Sequence, residues 1–400
     1  SQGEHHEEIV GKGALEPLIT VSNSADLETQ RCIAYALCNL ASNETNRRAI
    51  VTEGGLPPLI SLACSEDHED KRAAIGTLRG IAADPASRIK IVQEGGLEPL
   101  ALAARINNVE VHKETVKGSM SLSMNEGNKI VMVDHEVLPD LVRLCRSSDS
   151  TVARYACATL ANLAENFECH DNIVEVEGLK LFSKIAGGAA VGNDVDLQRE
   201  ATRFLSNICA AYAMHDRIID DDAHVALIAA CRADDAKVRR FGVIGVINLA
   251  IVPENHNDLI KHSAISALVD LISMDLGDDM QCQRFACLAI GNFAAKIENH
   301  DIIFRSDALQ PLIQCVKAED LETRFHASYA LGKLAQASHN HARIGNAGVI
   351  TPLIELMYCE DNHAKCQAIC TMRRLALNPD NRIMAIENGV LIPLATAGDR

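Results

Sequence analysis

The sequence predicts an all-α protein built as a solenoid of repeated helical units, and two observations carry that prediction. One short phrase recurs along the chain at spacings of 40 to 45 residues, a period typical of helical solenoids in which each unit packs only on its neighbours. The composition agrees, because 48% of the residues are hydrophobic while only 3% are aromatic, with no Trp. Such a composition favours closely packed short helices over strands.

The recurring phrase marks the second helix of each predicted unit. It reads GALEPLI from Gly13, GLPPLI from Gly55 and GLEPLA from Gly96. Related phrases begin near residues 136, 178, 223, 264, 308, 348 and 389. We therefore predict one repeat domain over residues 1–400, with about nine units of three helices each.

One unit shows the three predicted helices. The pattern predicts a first helix over 44–53, ended by a pair of glycines, and a second over 56–63 with two prolines in its first turn, where a missing N–H costs little. A longer third helix is predicted over 71–83, with Leu78 and Ile81 in its apolar stripe. We expect insertions in the loops at 187–194 and 275–279, because solenoids place length changes there.

The chain ends also carry an expectation. The sequence opens without Met, enters at a second helix and stops before a third helix of the tenth unit. A solenoid ordinarily has polar capping units at its ends. We therefore expect a fragment of a longer protein.

Charge and cysteine content exclude several classes of protein. A net charge of -16 argues against nucleic acid as the main partner, since phosphate binding requires a basic surface. The 14 cysteines lie mostly in apolar helical patterns and indicate reduced thiols of a cytoplasmic or nuclear protein. No run of 18 apolar residues is present, so we expect no direct membrane insertion. The oligomeric state is undetermined.

The third helices carry a family resemblance. They read YALCNLA from Tyr35, ATLANLA from Ala158, IGVINLA from Ile244 and LAIGNFA from Leu288, and these phrases resemble those of armadillo repeats. The resemblance covers nearly the whole chain and lies nearer the β-catenin, plakophilin and vacuolar-adaptor branches than importin-α. It implies a right-handed superhelix that binds a segment of another protein in a concave groove lined by third helices.

In that family an Asn of the third helix binds the backbone of the ligand. An amide suits this role because it offers both a donor and an acceptor. Five repeats have Asn at this position, and the other four have Gly80, Ser121, Lys333 and Arg374 instead; the five are Asn39, Asn162, Asn207, Asn248 and Asn292. The alternative is that some of these amides bond to the neighbouring repeat.

Four residues before each Asn, importin-α has a Trp that holds a lysine stem of its ligand. This chain has no Trp, and only Tyr35 and Tyr329 are aromatic at that position, where Arg203 also lies. A nuclear import adaptor is therefore disfavoured. Cations are nevertheless predicted in the groove, where they would suit acidic segments of a partner; they are Arg79, Lys117, Arg203, Lys333 and Arg374.

A second series of cations begins each third helix. It has two interpretations: ion pairs that join adjacent repeats, or an electropositive lining that steers acidic peptides. The series comprises Arg31, Arg72, Lys113, Arg154, Arg199, Arg240, Arg284, Arg324 and Lys365.

Catalytic and metal-binding patterns are weak. Cys359, His363, Cys366 and Cys370 have ligand chemistry, but two of them lie one turn apart on a helix, whereas closed zinc sites favour ligands from loops. No phosphate-binding loop or nucleophile elbow is present. We expect no enzyme activity, no metal and no cofactor. The leading hypothesis is a scaffold or adaptor; the alternative is a component of an axonemal or cytoskeletal assembly that binds through its convex surface and edges.

Overall fold

The protein is described by a computed structural model that covers residues 2–22, 26–176, 178–188, 194–274 and 280–398. The chain divides into two compact units, residues 1–181 and residues 182–400. Both consist of helices and turns throughout the described residues. The predicted all-α solenoid is confirmed.

The helices of the described residues form nine three-helix repeats and the first two helices of a tenth. The first helices are Gln2–Gly11, Glu44–Thr52, Pro85–Gln93, Glu126–Asp134, His170–Glu175, His215–Asp220, His256–Lys261, His300–Arg305, His341–Ile344 and Pro379–Glu387. The second helices are Leu15–Val21, Leu56–Ala63, Leu97–Ala104, Val137–Leu144, Gly178–Ala186, Ala223–Ala230, Ala264–Ser273, Leu309–Val316, Ile350–Met357 and Leu391–Gly398. The third helices are Leu27–Leu40, His68–Ile81, Val109–Ser123, Ser150–Leu163, Val195–Ile208, Ala236–Ala250, Met280–Phe293, Leu321–Leu334 and Asn362–Leu375.

In five repeats of the described chain, a short 3-10 turn precedes the first helix. These turns are Phe167–Cys169, Tyr212–Met214, Pro253–Asn255, Ile297–Asn299 and Ser338–Asn340. In the ninth repeat the segment Gly345–Val349 joins the first helix to the second and turns at Gly348, which has a φ of 92°.

Two sequence predictions require correction. The chain does not enter at a second helix, because Gln2–Gly11 is a first helix, and its His6 carbonyl accepts a hydrogen bond from Asn46 of the next repeat. The third helix of the second repeat begins at His68 rather than residue 71, because Asp67 caps it by accepting from the N–H groups of Glu69 and Asp70. Residues 189–193 and 275–279 of the two expected loop insertions lie outside the described residues.

The third helices are joined at their N-termini by ion pairs. Most are capped by an aspartate whose carboxylate accepts from backbone N–H groups, as Asp235 does from Lys237 and Val238. The same carboxylate accepts from Arg199 of the preceding repeat, with Nε and Oδ1 2.9 Å apart. Asp235 therefore serves two helices at once, and its hydrogen bonds with Arg199 hold its pKa at about 2 although burial acts to raise it.

Other cations of the series make the same kind of bridge to the next repeat. Besides the Arg199 bridge, Lys113 lies 3.3 Å from Asp149 and Arg284 lies 3.0 Å from Asp320, both of which are capping aspartates. Arg31 lies 2.9 Å from Asp70. At these positions the contacts support the interpretation of ion pairs that join adjacent repeats.

The third helices are also closed at their C-termini by the next repeat. Six buried asparagines donate to a carbonyl in the last turn of the preceding third helix; they are Asn46, Asn128, Asn255, Asn299, Asn340 and Asn381. In five repeats the residue that follows the position of these buried asparagines is a buried His, whose Nε2 donates to the next carbonyl; these are His170, His215, His256, His300 and His341. These side chains satisfy carbonyls that have no partner within their own helix.

In residues 182–400 these groups form a continuous chain, which we term the Asn/His ladder. His256 donates from Nε2 to the Ala250 carbonyl and accepts at Nδ1 from Asn299 of the next repeat, at 2.8 Å. The same bond joins His215 to Asn255 and His300 to Asn340. Because each ring must donate at Nε2 and accept at Nδ1, the ladder requires neutral imidazoles.

The predicted core stripe can be tested with Leu78→Ala. Leu78 is buried, so the change should destabilise the protein by about 2–5 kcal/mol through lost transfer energy and the residual cavity. Urea unfolding followed by circular dichroism measures this. Glu69→Ala, at an exposed position of the same helix, is the control, and equal effects of the two changes would contradict the assignment of faces.

The double role of Asp235 predicts different costs for two substitutions. Asp235→Ala removes both the cap and the ion pair and should cost about 1–2 kcal/mol. Asp235→Asn keeps a capping oxygen and should cost about 1 kcal/mol or less. Urea unfolding at pH 7 separates them; an Asn variant as unstable as the Ala variant would show that the cap contributes little.

Neutral histidines make the ladder sensitive to acid. Burial lowers the pKa of His256 below its ordinary value of 6.5, so the unfolded chain takes up a proton more readily than the folded one. This contribution to stability is complete above pH 6.5 and is lost as the pH falls below it. His256→Gln keeps a donor and an acceptor without titrating, so its melting temperature should fall less between pH 7 and pH 5. The same fall in both proteins would contradict the role of His256.

Candidate functional site

In residues 1–181 most of the predicted groove residues are engaged by neighbouring repeats. The Tyr35 hydroxyl donates to Asp70 at 2.6 Å. Arg79 donates to Glu114 at 2.7 Å, and the Lys117 ammonium lies 4.0 Å from the same carboxylate. Glu114 is thus paired with Arg79, and Lys117 lies beside the same carboxylate.

The two asparagines of this unit differ. Asn162 donates from Nδ2 to the Ser123 hydroxyl of the preceding repeat at 3.0 Å, which is the alternative role considered for these amides. Asn39 is exposed. The Lys117 ammonium also lies 5.9 Å from the centre of the Tyr155 ring.

In residues 182–400 the predicted groove positions form a partly exposed set on neighbouring third helices. Asn248 and Asn292 are partly exposed, and within the described residues neither side chain has a hydrogen bond from the protein. Asn207 has interactions within the chain. Arg203 is held by Glu200 of its own helix, with Nη2 and Oε2 2.7 Å apart.

Apolar groups lie one turn before the two asparagines. Ile244 and Leu288 are partly exposed at matching positions of two third helices. In the next repeat Tyr329 takes that position, and its ring packs so closely on Gly291 that a Cβ there would lie 2.5 Å from two ring carbons. Lys333 extends over the same ring, with its ammonium 5.2 Å from the centre, a distance suited to a cation–π contact.

Arg374 lies on the third helix of the following repeat. Its Nη1 donates to the Gly332 carbonyl at 2.8 Å, and Gly332 lies in the last turn of the preceding third helix, where a cation interacts favourably with the helix dipole.

We term the set formed by Ile244, Asn248, Leu288, Asn292, Tyr329 and Lys333 the third-helix surface. It combines amides, aliphatic groups and a cation.

The cysteine and histidine cluster considered from the sequence is not assembled. The Cys359 thiol donates to the Asp361 carbonyl, and the four residues do not form a metal-binding group. Within the described part of the chain one such group exists, Asp222 with His224 and His262. The 14 cysteines form no disulfide within the described residues.

The Asn/His ladder contains the residues that sequence reasoning missed. A signal was present, because Asn-His pairs recur at residues 255, 299 and 340. Each Asn comes six residues after the third-helix residue whose carbonyl it binds. His341 and His112 are also buried, and His112 donates to the Ala104 carbonyl.

Comparisons with known proteins agree with this geometry. Residues 125–165 match the family model described as Armadillo/beta-catenin-like repeat. The chain is an all-α solenoid of three-helix repeats, and the segment that matches the armadillo model is one of those repeats. It is similar to an engineered protein of the Northeast Structural Genomics Consortium, with 26% identity and a TM-score of 0.84, over 96% of this chain and 93% of that chain. A second engineered protein from that consortium is 24% identical over 60% of this chain and 99% of its own, with a TM-score of 0.55. No curated protein matches the sequence.

The described helices were compared with the requirements for crossing a membrane. None of them combines the length and the apolarity that crossing a bilayer requires.

Proposed function

We propose that this chain is a non-enzymatic scaffold or adaptor that binds an extended segment of another protein on the third-helix surface of residues 182–400. The observation that carries the proposal is the pair Asn248 and Asn292, whose partly exposed amides have no hydrogen bond from the described protein. Neighbouring repeats present them at the same helix position. A strand-like ligand offers the N–H and C=O groups that such amides bind.

The surroundings of these amides suggest the chemistry of the ligand. Ile244 and Leu288 offer aliphatic contacts, while Lys333 adds a positive charge beside Tyr329. No carboxylate within the described residues forms an ion pair with Lys333. We infer a ligand with apolar side chains followed by an acidic one, which Lys333 attracts.

The contrast with residues 1–181 narrows the proposed site. There Glu114 neutralises Arg79, Asp70 engages Tyr35, and Asn162 bonds to Ser123. A ligand would have to displace these contacts, which carries a cost in free energy. The part of the groove in residues 182–400 is therefore the better candidate.

A peptide-display selection on the full chain tests the proposal. Affinity for a selected peptide, measured by fluorescence anisotropy, should fall roughly five- to a hundredfold in the Asn248→Ala, Asn292→Ala double variant, because two hydrogen bonds of about 0.5–1.5 kcal/mol are lost. The matched control is Asn39→Ala with Asn162→Ala, at the same helix position of other repeats. Equal affinities of the two double variants would contradict the site.

Lys333→Ala tests the acidic component. If the ligand carries a carboxylate there, the variant should bind it more weakly and should show a smaller loss of affinity between low and high salt. The melting temperature should change little, since the ammonium is partly exposed. An unaltered salt dependence would show that Lys333 is outside the site.

A second candidate function rests on a different surface. Tyr212, Ile251 and Ile297 are 63%, 49% and 51% exposed, and all three lie in turns that connect a third helix to the next first helix. Tyr212 and Ile297 occupy the same position of their repeats, and large exposed apolar patches mark protein interfaces. These groups favour the alternative of an assembly component that binds through its edges. In that case, replacing these three residues by Ser should abolish binding, whereas replacing Asn248 and Asn292 by Ala should not.

A further inference from the structure

The turns between first and second helices contain an exceptional group of side chains. Among the described residues, five of these turns include a glycine with positive φ; the glycines are Gly13, Gly54, Gly95, Gly348 and Gly389. Three later repeats have Asp222, Ser263 and Asp307 there instead, with φ of 55°, 65° and 56°. A side chain in this left-handed region is unfavourable compared with glycine, so these positions retain a side chain at a cost.

His224 is the second unusual residue of this region. It lies two residues after Asp222, at a position that is aliphatic in the other repeats with a positive-φ turn; those residues are Leu15, Leu56, Leu97, Ile265, Leu309, Ile350 and Leu391. His224 is 1% exposed. An imidazole in place of a core leucine is unfavourable unless its nitrogens are used.

The next repeat supplies a third ligand-type group. The His224 Nε2 and the His262 Nδ1 are 2.9 Å apart, and His262 directly precedes Ser263 in the corresponding turn. The ligand atoms of Asp222, His224 and His262 lie within 4.8 Å of one another. Two successive turns thus bring two imidazoles and a carboxylate close together.

We propose that Asp222, His224 and His262 bind a zinc ion that joins the two successive repeats. Imidazole nitrogen and carboxylate oxygen are ligands that Zn²⁺ prefers, at about 2.0–2.2 Å, and three protein ligands leave the fourth tetrahedral position to water. Tetrahedral ligand atoms are then about 3.4 Å apart, so the two nitrogens separate slightly and the exposed Asp222 carboxylate moves inward. This site does not depend on the proposed peptide-binding surface.

The metal replaces an existing hydrogen bond. His262 Nδ1 lies 3.1 Å from the Asp258 carbonyl as well as facing His224, and one nitrogen of the histidine pair carries the hydrogen. With zinc bound, both facing nitrogens present lone pairs, and that hydrogen moves to the other nitrogen of its ring. Burial and the nearby His262 lower the pKa of His224, which keeps the ring neutral and available as a ligand.

Zinc binding to the full chain, stripped of metals and kept reduced, tests the site. The dissociation constant for Zn²⁺ is measured by competition with a chromophoric chelator, and Co²⁺ absorption reports the ligand type. Asp222→Gly and His262→Ala should each weaken binding roughly tenfold or more, since even outer-shell changes cost 10- to 100-fold. Co²⁺ should show tetrahedral absorption without thiolate charge transfer.

The chain provides a matched control in Asp307→Gly. Asp222 and Asp307 occupy the same left-handed position, so each Gly variant relieves the same backbone strain, and both should fold at least as well as the unaltered chain without metal. Asp307→Gly should bind Zn²⁺ with unaltered affinity. Equal affinity in all variants, or a thiolate charge-transfer band that persists in Asp222→Gly, would overturn the proposal by assigning the metal to other groups such as the cysteine thiols.

Discussion

The structure depends on side chains that satisfy the backbone groups at the ends of the third helices and also contact the neighbouring repeat. A buried helix leaves N–H groups at its start and carbonyls at its end without intrahelical partners. At the N-terminus an aspartate such as Asp235 caps its own helix and binds Arg199 of the preceding repeat. At the C-terminus Asn255 and His256 donate to the last carbonyls of the helix Ala236–Ala250. The side chains that satisfy one repeat therefore also fix the position of its neighbour.

This arrangement explains why the third helices can expose different chemistry without altering the fold. Stacking is maintained by helix ends and by core residues such as Leu78 and Leu249, so the partly exposed positions vary freely. In residues 1–181 these positions are occupied by contacts such as that of Arg79 with Glu114. In residues 182–400 the amides of Asn248 and Asn292 remain available, and we base the proposed binding function on that difference.

Much of the fold could be predicted from the sequence because the repeat is local in the chain. The apolar period and the Gly-Pro punctuation predict the helix Leu56–Ala63 with the bounds that the structure shows. The start of the helix His68–Ile81 was predicted three residues late, since the cap by Asp67 competes with the hydrophobic pattern on which the prediction rested. The candidate groove was only partly predictable: the position of Asn162 follows from the repeat, but its bond to Ser123 joins residues 39 apart.

The sequence by itself determined the repeat, its helices and the positions that neighbouring units share, because each of these depends on residues within about 40 positions of one another and on periodic burial. Only the tertiary structure decided which side chains at these shared positions already have a partner in the neighbouring repeat. Whether Asn248 is available while Asn162 is bonded, and whether His224 meets His262, depends on side-chain distances across a repeat interface. Those distances follow from how the side chains of two repeats pack together. The repeat pattern in the sequence does not reveal them.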